Sequence, residues 1–84
     1  MITDRRVVAA EPLESMRVRL RFRDGTCGEV DLGARLAPLT GMMTPLGAPT
    51  FFRRLVVDHD AGTIVWPNGV DLDPDVLYEL AGRR

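Results

Sequence analysis

The clearest pattern in the chain runs from Met16 to Arg23. Met16, Val18, Leu20 and Phe22 fall on one side of an alternation, and Arg17, Arg19, Arg21 and Arg23 on the other. A period of two belongs to a strand with one buried face. Asp24-Gly25 follows and marks a hairpin turn. Phase decides the loop length. A two-residue loop pairs Phe22 with Cys27, Leu20 with Glu29 and Val18 with Asp31, which puts carboxylates on the apolar face. A three-residue loop, Arg23-Asp24-Gly25, pairs Phe22 with Thr26, Leu20 with Gly28 and Val18 with Val30. It also sets Arg19 opposite Glu29 and Arg17 opposite Asp31. A one-residue slip would turn every side chain to the wrong face, so the three-residue loop is expected, with Gly25 in the left-handed position.

The remaining elements follow from weaker patterns. Ile2 to Ala10 reads as a first strand, ended by Glu11-Pro12 because proline removes a ladder donor. From Gly33 to Arg54 the periodicity breaks down. One helical turn is expected at Ala34 to Ala37, and short helix starts at Thr44-Pro45 and Ala48-Pro49. Leu55 to Asp58 and Thr63 to Trp66 form a second hairpin across His59-Asp60-Ala61-Gly62. Pro67-Asn68-Gly69 is turn chemistry, and Val70 to Leu72 continues extended. Asp73 as N-cap, Pro74 in the first helical position and Asp75 near the positive helix end start a last helix. Val76, Leu77, Leu80 and Ala81 make its expected buried stripe; Gly82 ends it, with Arg83 and Arg84 near its negative end. The class is therefore α+β: a small, mostly antiparallel sheet of two hairpins plus an N-terminal strand, an irregular middle segment and a C-terminal helix packed on the sheet.

Composition narrows the picture. The 84 residues form a single domain, 1–84, with 45% hydrophobic and 27% charged residues, which argues against wholesale disorder. A net charge of -1 gives no global attraction to nucleic acid or acidic membranes. The one cysteine, Cys27, excludes an internal disulfide framework, and the one histidine, His59, excludes a multi-histidine metal centre. The longest uncharged run, Leu36 to Phe52, carries three prolines and two glycines and is no spanning helix. The apolar run near the N-terminus is too short for a signal peptide, so a cytoplasmic protein without membrane contact is expected.

Few residues carry a case for chemistry. Asp71, Asp73 and Asp75 resemble the opening of a calcium loop, but its sixth and twelfth positions fall on Val76 and Gly82, and helix capping accounts for Asp73 and Asp75. Asp58-His59-Asp60 lacks a second histidine or a spaced nucleophile, and Cys27 lacks an identifiable base. No catalytic, cofactor or metal site is expected, nor an enzyme. The arginine stripe Arg17, Arg19, Arg21 and Arg23 has two readings beyond a solvated face: a protein-partner surface or phosphate contact along a sheet. No aromatic residue interleaves it for base stacking, so nucleic acid is the alternative rather than the leading reading. Met42 and Met43, between glycines and prolines, offer an adaptable apolar patch, the other candidate interaction surface. A homodimer also fits, because edge strands and these methionines need covering.

Phe22-Arg23-Asp24-Gly25, Val30-Asp31-Leu32, and Thr63 through Leu72 with Trp66-Pro67-Asn68-Gly69 and Asp71, followed by Leu77-Tyr78, together resemble the bacterial domain of unknown function 2442 family. The resemblance covers nearly the whole chain and implies a small α+β fold without established catalytic residues. Gly25, Trp66, Pro67, Asn68, Gly69, Asp71 and Tyr78 carry the signature and are expected to be structural. The resemblance further implies a neighbouring small protein as partner, in an arrangement similar to toxin–antitoxin pairs. Some members continue into a DNA-binding helix-turn-helix; this sequence ends at Arg84 without one, which counts against operator binding.

Overall fold

The computed structural model describes residues 4–82. Ile2 and Thr3 of the expected first strand, and Arg83 and Arg84, lie outside the described residues. Strands β1 (Val7–Pro12), β2 (Arg17–Phe22) and β3 (Cys27–Asp31) form an antiparallel sheet in the order β1-β2-β3. The alternation in β2 is complete: Val18, Leu20 and Phe22 are buried and the arginines between them exposed. The β2–β3 register pairs Leu20 with Gly28 and Val18 with Val30, as the three-residue loop requires. The Phe22 amide donates to the Thr26 carbonyl at 2.8 Å, and Gly25 adopts φ +92°.

The first strand differs from expectation. It begins at Val7 and runs through Pro12, with a bulge between Val7 and Ala9. Leu13 donates to the Arg17 carbonyl at 2.7 Å, so Leu13, Glu11 and Ala9 turn their backbone groups toward β2. Pro12 therefore faces away from β2, where its missing N–H breaks no ladder bond. Met16 belongs to the turn and not to the strand: Ser15 and Met16 join β1 to β2 with φ of 59° and 57°. Such left-handed pairs suit two-residue hairpins, and here they occur without glycine or asparagine.

The middle of the chain is a series of short turns: α1 (Leu32–Leu36), a 3-10 helix (Gly41–Gly47) and α2 (Pro49–Phe52). Pro49 opens α2 as expected, but Pro45 lies inside the 3-10 helix and starts nothing. Strands β4 (Val56–Asp58) and β5 (Thr63–Val65) then form the second hairpin. The strands divide between two sheets, linked where the Val7 amide donates to the Gly62 carbonyl at 2.9 Å. One core serves both. Val7, Leu20, Phe22, Leu46, Phe52, Ile64, Trp66 and Leu77 are all buried in it.

Helix α3 (Pro74–Ala81) is capped by Asp73, whose side chain accepts from the Asp75 amide. It lies against β3 so closely that a Cβ on Gly28 would stand 2.3 Å from the Ala81 carbonyl oxygen. Leu77 and Ala81 are buried. The expected stripe is only half closed, because Leu80 is half-buried and Val76 is 38% exposed. Val76 and Leu80 face a groove against Leu32 and Leu36 of α1, and the short α1 does not fill it.

Candidate functional site

The outer face of the three-stranded sheet gathers Glu11 from β1, Arg17, Arg19 and Arg21 from β2, and Cys27 and Glu29 from β3. Arg19 bridges two carboxylates, Glu11 at 2.9 Å and Glu29 at 3.0 Å. Arg17 pairs with Glu29 and not with Asp31, its neighbour in register. Asp31 is engaged elsewhere: its Oδ1 accepts the Ala34 amide at 3.0 Å and caps α1. The hydrogen bond from Arg17, then that from Arg19, holds the Glu29 carboxyl below its ordinary range, and Glu29 and Glu11 raise Arg19 in turn. Arg23 has its Nε 3.5 Å from Asp4. Arg21 is the exception. Its cross-strand neighbours are Ala9 and Cys27, and no carboxylate of the described residues lies within 4.0 Å of it.

The signature residues act as joints. Trp66 is buried, its Nε1 donates to the Phe52 carbonyl at 3.0 Å, and its ring lies 5.7 Å from that of Phe52. Pro67-Asn68-Gly69 closes a turn in which the Gly69 amide reaches the Trp66 carbonyl at 2.9 Å, with Gly69 at φ +88°. Asp71 returns to bridge Val65. Asn68 has a second task. Its Nδ2 donates to the Met42 carbonyl at 2.9 Å, fixing the start of the 3-10 helix. Met42 itself stands 64% exposed, while Met43 is half-buried against the core. The two methionines are therefore not one patch: Met43 fills, and Met42 projects.

Tyr78 ties α3 to the β2–β3 turn. Its ring meets Phe22 edge-on at 5.0 Å, the Arg5 guanidinium lies 4.8 Å above it, and its hydroxyl donates to Asp24 Oδ2 at 2.5 Å. That hydrogen bond, with a second from the Thr26 amide, lowers the Asp24 carboxyl pKa. The pairing of Asp24 with Tyr78 spans 54 positions and left no sequence signal. Other polar candidates have local duties. Asp58 accepts from the amides of Asp60 and Ala61 and so shapes the β4–β5 turn around His59. Cys27 is exposed on β3, with its thiol directed to the Gly25 carbonyl. Among the described residues no three His, Cys, Asp or Glu side chains converge as a metal site would require, and no helix is long and apolar enough to cross a membrane.

These features define a small α+β domain whose signature residues brace its own turns and whose exposed features are a paired arginine face, one fixed methionine and a half-covered helix. The chain belongs to the family described as Protein of unknown function (DUF2442), which it matches over residues 7–83. No curated protein and no solved structure matches it.

Proposed function

We propose that this chain is a cytoplasmic, non-enzymatic protein-interaction module, the antitoxin-like member of a two-gene pair, binding the small protein encoded beside it. The observation that carries this reading is Met42: a large apolar side chain, 64% exposed, on a backbone that Asn68 of the signature turn holds in place. A flexible thioether on a fixed support suits a partner's apolar pocket, and it loses little backbone entropy on docking. The paired state of Arg17, Arg19 and Arg23 favours a protein partner over nucleic acid, since phosphate would have to displace carboxylates already in place. Co-expression with the adjacent gene's product, followed by size-exclusion chromatography, is expected to give a joint peak that Met42→Asp abolishes while the variant stays folded. Separate elution of the two wild-type proteins would sink the proposal.

A further inference from the structure

The sheet has two edges, and only one is guarded. On β1 the outward side carries Pro12, which has no N–H; the strand is broken by the bulge near Val8; and its first residue already bonds Gly62. Those are recognised ways of blunting an edge strand. On β3 none of them is present. Phe22 bonds Thr26 and Leu32 bonds the Met16 carbonyl, so Thr26, Gly28, Val30 and Leu32 turn their backbone groups toward β2. Cys27, Glu29 and Asp31 consequently turn theirs outward; the Asp31 carbonyl starts α1, and no strand of the described residues pairs along this side of β3. The edge is regular over its five residues and contains neither proline nor bulge.

A second observation adjoins the first. Helix α3 rests under β3 through Ala81 and Gly28, and its apolar positions Val76 and Leu80 remain open toward α1, which continues directly from the end of β3. A fourth strand laid along β3 would alternate, one set of side chains on the outer face and the other toward the helix side. The first set would meet Glu29 and its arginines; the second would add apolar cover beside Val76 and Leu80.

From this juxtaposition we infer that β3 is the docking edge for an extended segment of a different protein, added antiparallel or parallel as a fourth strand. Its inner residues are apolar, and the residue opposite Glu29 is neutral or basic. The inference rests on the interaction-module reading and names the surface that takes the partner's backbone. A second copy of this chain fits less well: the antiparallel self-pairing that uses the whole of β3 is centred on Glu29 and places it directly against its twin. Strand addition takes its affinity from main-chain hydrogen bonds and its specificity from alternate side chains.

The test uses the product of the adjacent gene as probe. Amide hydrogen exchange is followed on the full chain alone and in the complex, alongside binding of Cys27→Pro and Val76→Asp. Proline at position 27 removes an outward N–H and the weak contact of the exposed thiol with the Gly25 carbonyl, and no ladder bond to β2, so circular dichroism is expected to be unchanged. The expected result is fast exchange at Cys27, Glu29 and Asp31 in the free chain, strong slowing in the complex, and roughly ten-fold weaker binding for each variant, the loss of about 1.4 kcal/mol. A complex that leaves these three amides exposed and tolerates Cys27→Pro overturns the edge assignment and leaves the module standing. Absence of any complex overturns both. Protection that appears in the isolated chain and grows with its concentration makes a second copy the occupant, and overturns the assignment to a different protein.

Discussion

Single residues show where sequence reasoning has purchase. Gly25 is readable because only one loop length keeps both strands in phase, and that loop demands a left-handed residue. Ser15 and Met16 take the same conformation with no such sign, since neither residue type favours it and the strand before them has no clean alternation. Left-handed backbone disfavours side chains with a Cβ by about 1–2 kcal/mol, so Ser15→Gly is expected to stabilise the chain by roughly 1 kcal/mol in urea unfolding. A loss of stability would mean that the Ser15 side chain makes a contact worth more than the strain. The carboxyls of Asp24 and Glu29 give a prediction with a sign. Both are lowered in the folded state, Asp24 chiefly by Tyr78 and Glu29 chiefly by Arg17. In the window just below the ordinary carboxylate range the unfolded chain therefore binds more protons, and stability rises with pH there. Their contribution is fully present above about pH 5 and is lost as pH falls through the lowered values. Unfolding midpoints taken between about pH 2 and 7 should show that acid limb, and Tyr78→Phe together with Glu29→Gln should flatten it.

At the scale of elements, boundaries were more readable than surroundings. The cap Asp73, the proline after it and the terminal Gly82 mark α3 correctly, because capping chemistry is local. The periodicity of Val76, Leu77, Leu80 and Ala81 shows which side of the helix is apolar, but not how wide a surface the rest of the chain can supply to cover it. Leu77 and Ala81 are buried, while Val76 is covered only in part and stays 38% exposed. The same limit applies to the arginine stripe, whose exposure follows from the alternation while its partners do not: Asp31 is drawn away to cap α1, and Asp4 reaches Arg23. The tightest contact between elements is Gly28 under Ala81. Gly28→Ala has to push back a carbonyl and not a flexible side-chain end, so a destabilisation of about 1–3 kcal/mol is expected. Faster amide exchange in α3 than in β1 would place the damage at this joint. An unchanged exchange pattern would show that the helix shifts freely along the sheet.

For the whole molecule, the decisive feature is that two separate sheets share one core through a segment with no regular pattern. The middle of the chain was unreadable because its short turns have no periodicity, yet Leu46 and Phe52 from it are buried in the core that the two sheets share. Phe52 is the centre of this arrangement: its ring meets Trp66, and its carbonyl accepts the indole N–H. The β4–β5 hairpin has only three residues in each strand, and a two-stranded hairpin of that size is marginal in water. It must therefore take its stability from the shared core and unfold with the larger sheet. Trp66, the one tryptophan, reports the packing beside that hairpin, while far-UV circular dichroism reports all the strands and helices. Phe52→Leu keeps an apolar side chain but loses ring contacts, and about 1–1.5 kcal/mol of destabilisation is expected. Both signals should then move to the same lower urea midpoint, with an unchanged slope. If the Trp66 fluorescence changed before the circular dichroism, the hairpin would be a separate unit clipped onto the three-stranded sheet. The core formed through Phe52 would then not be the element that makes the chain one domain.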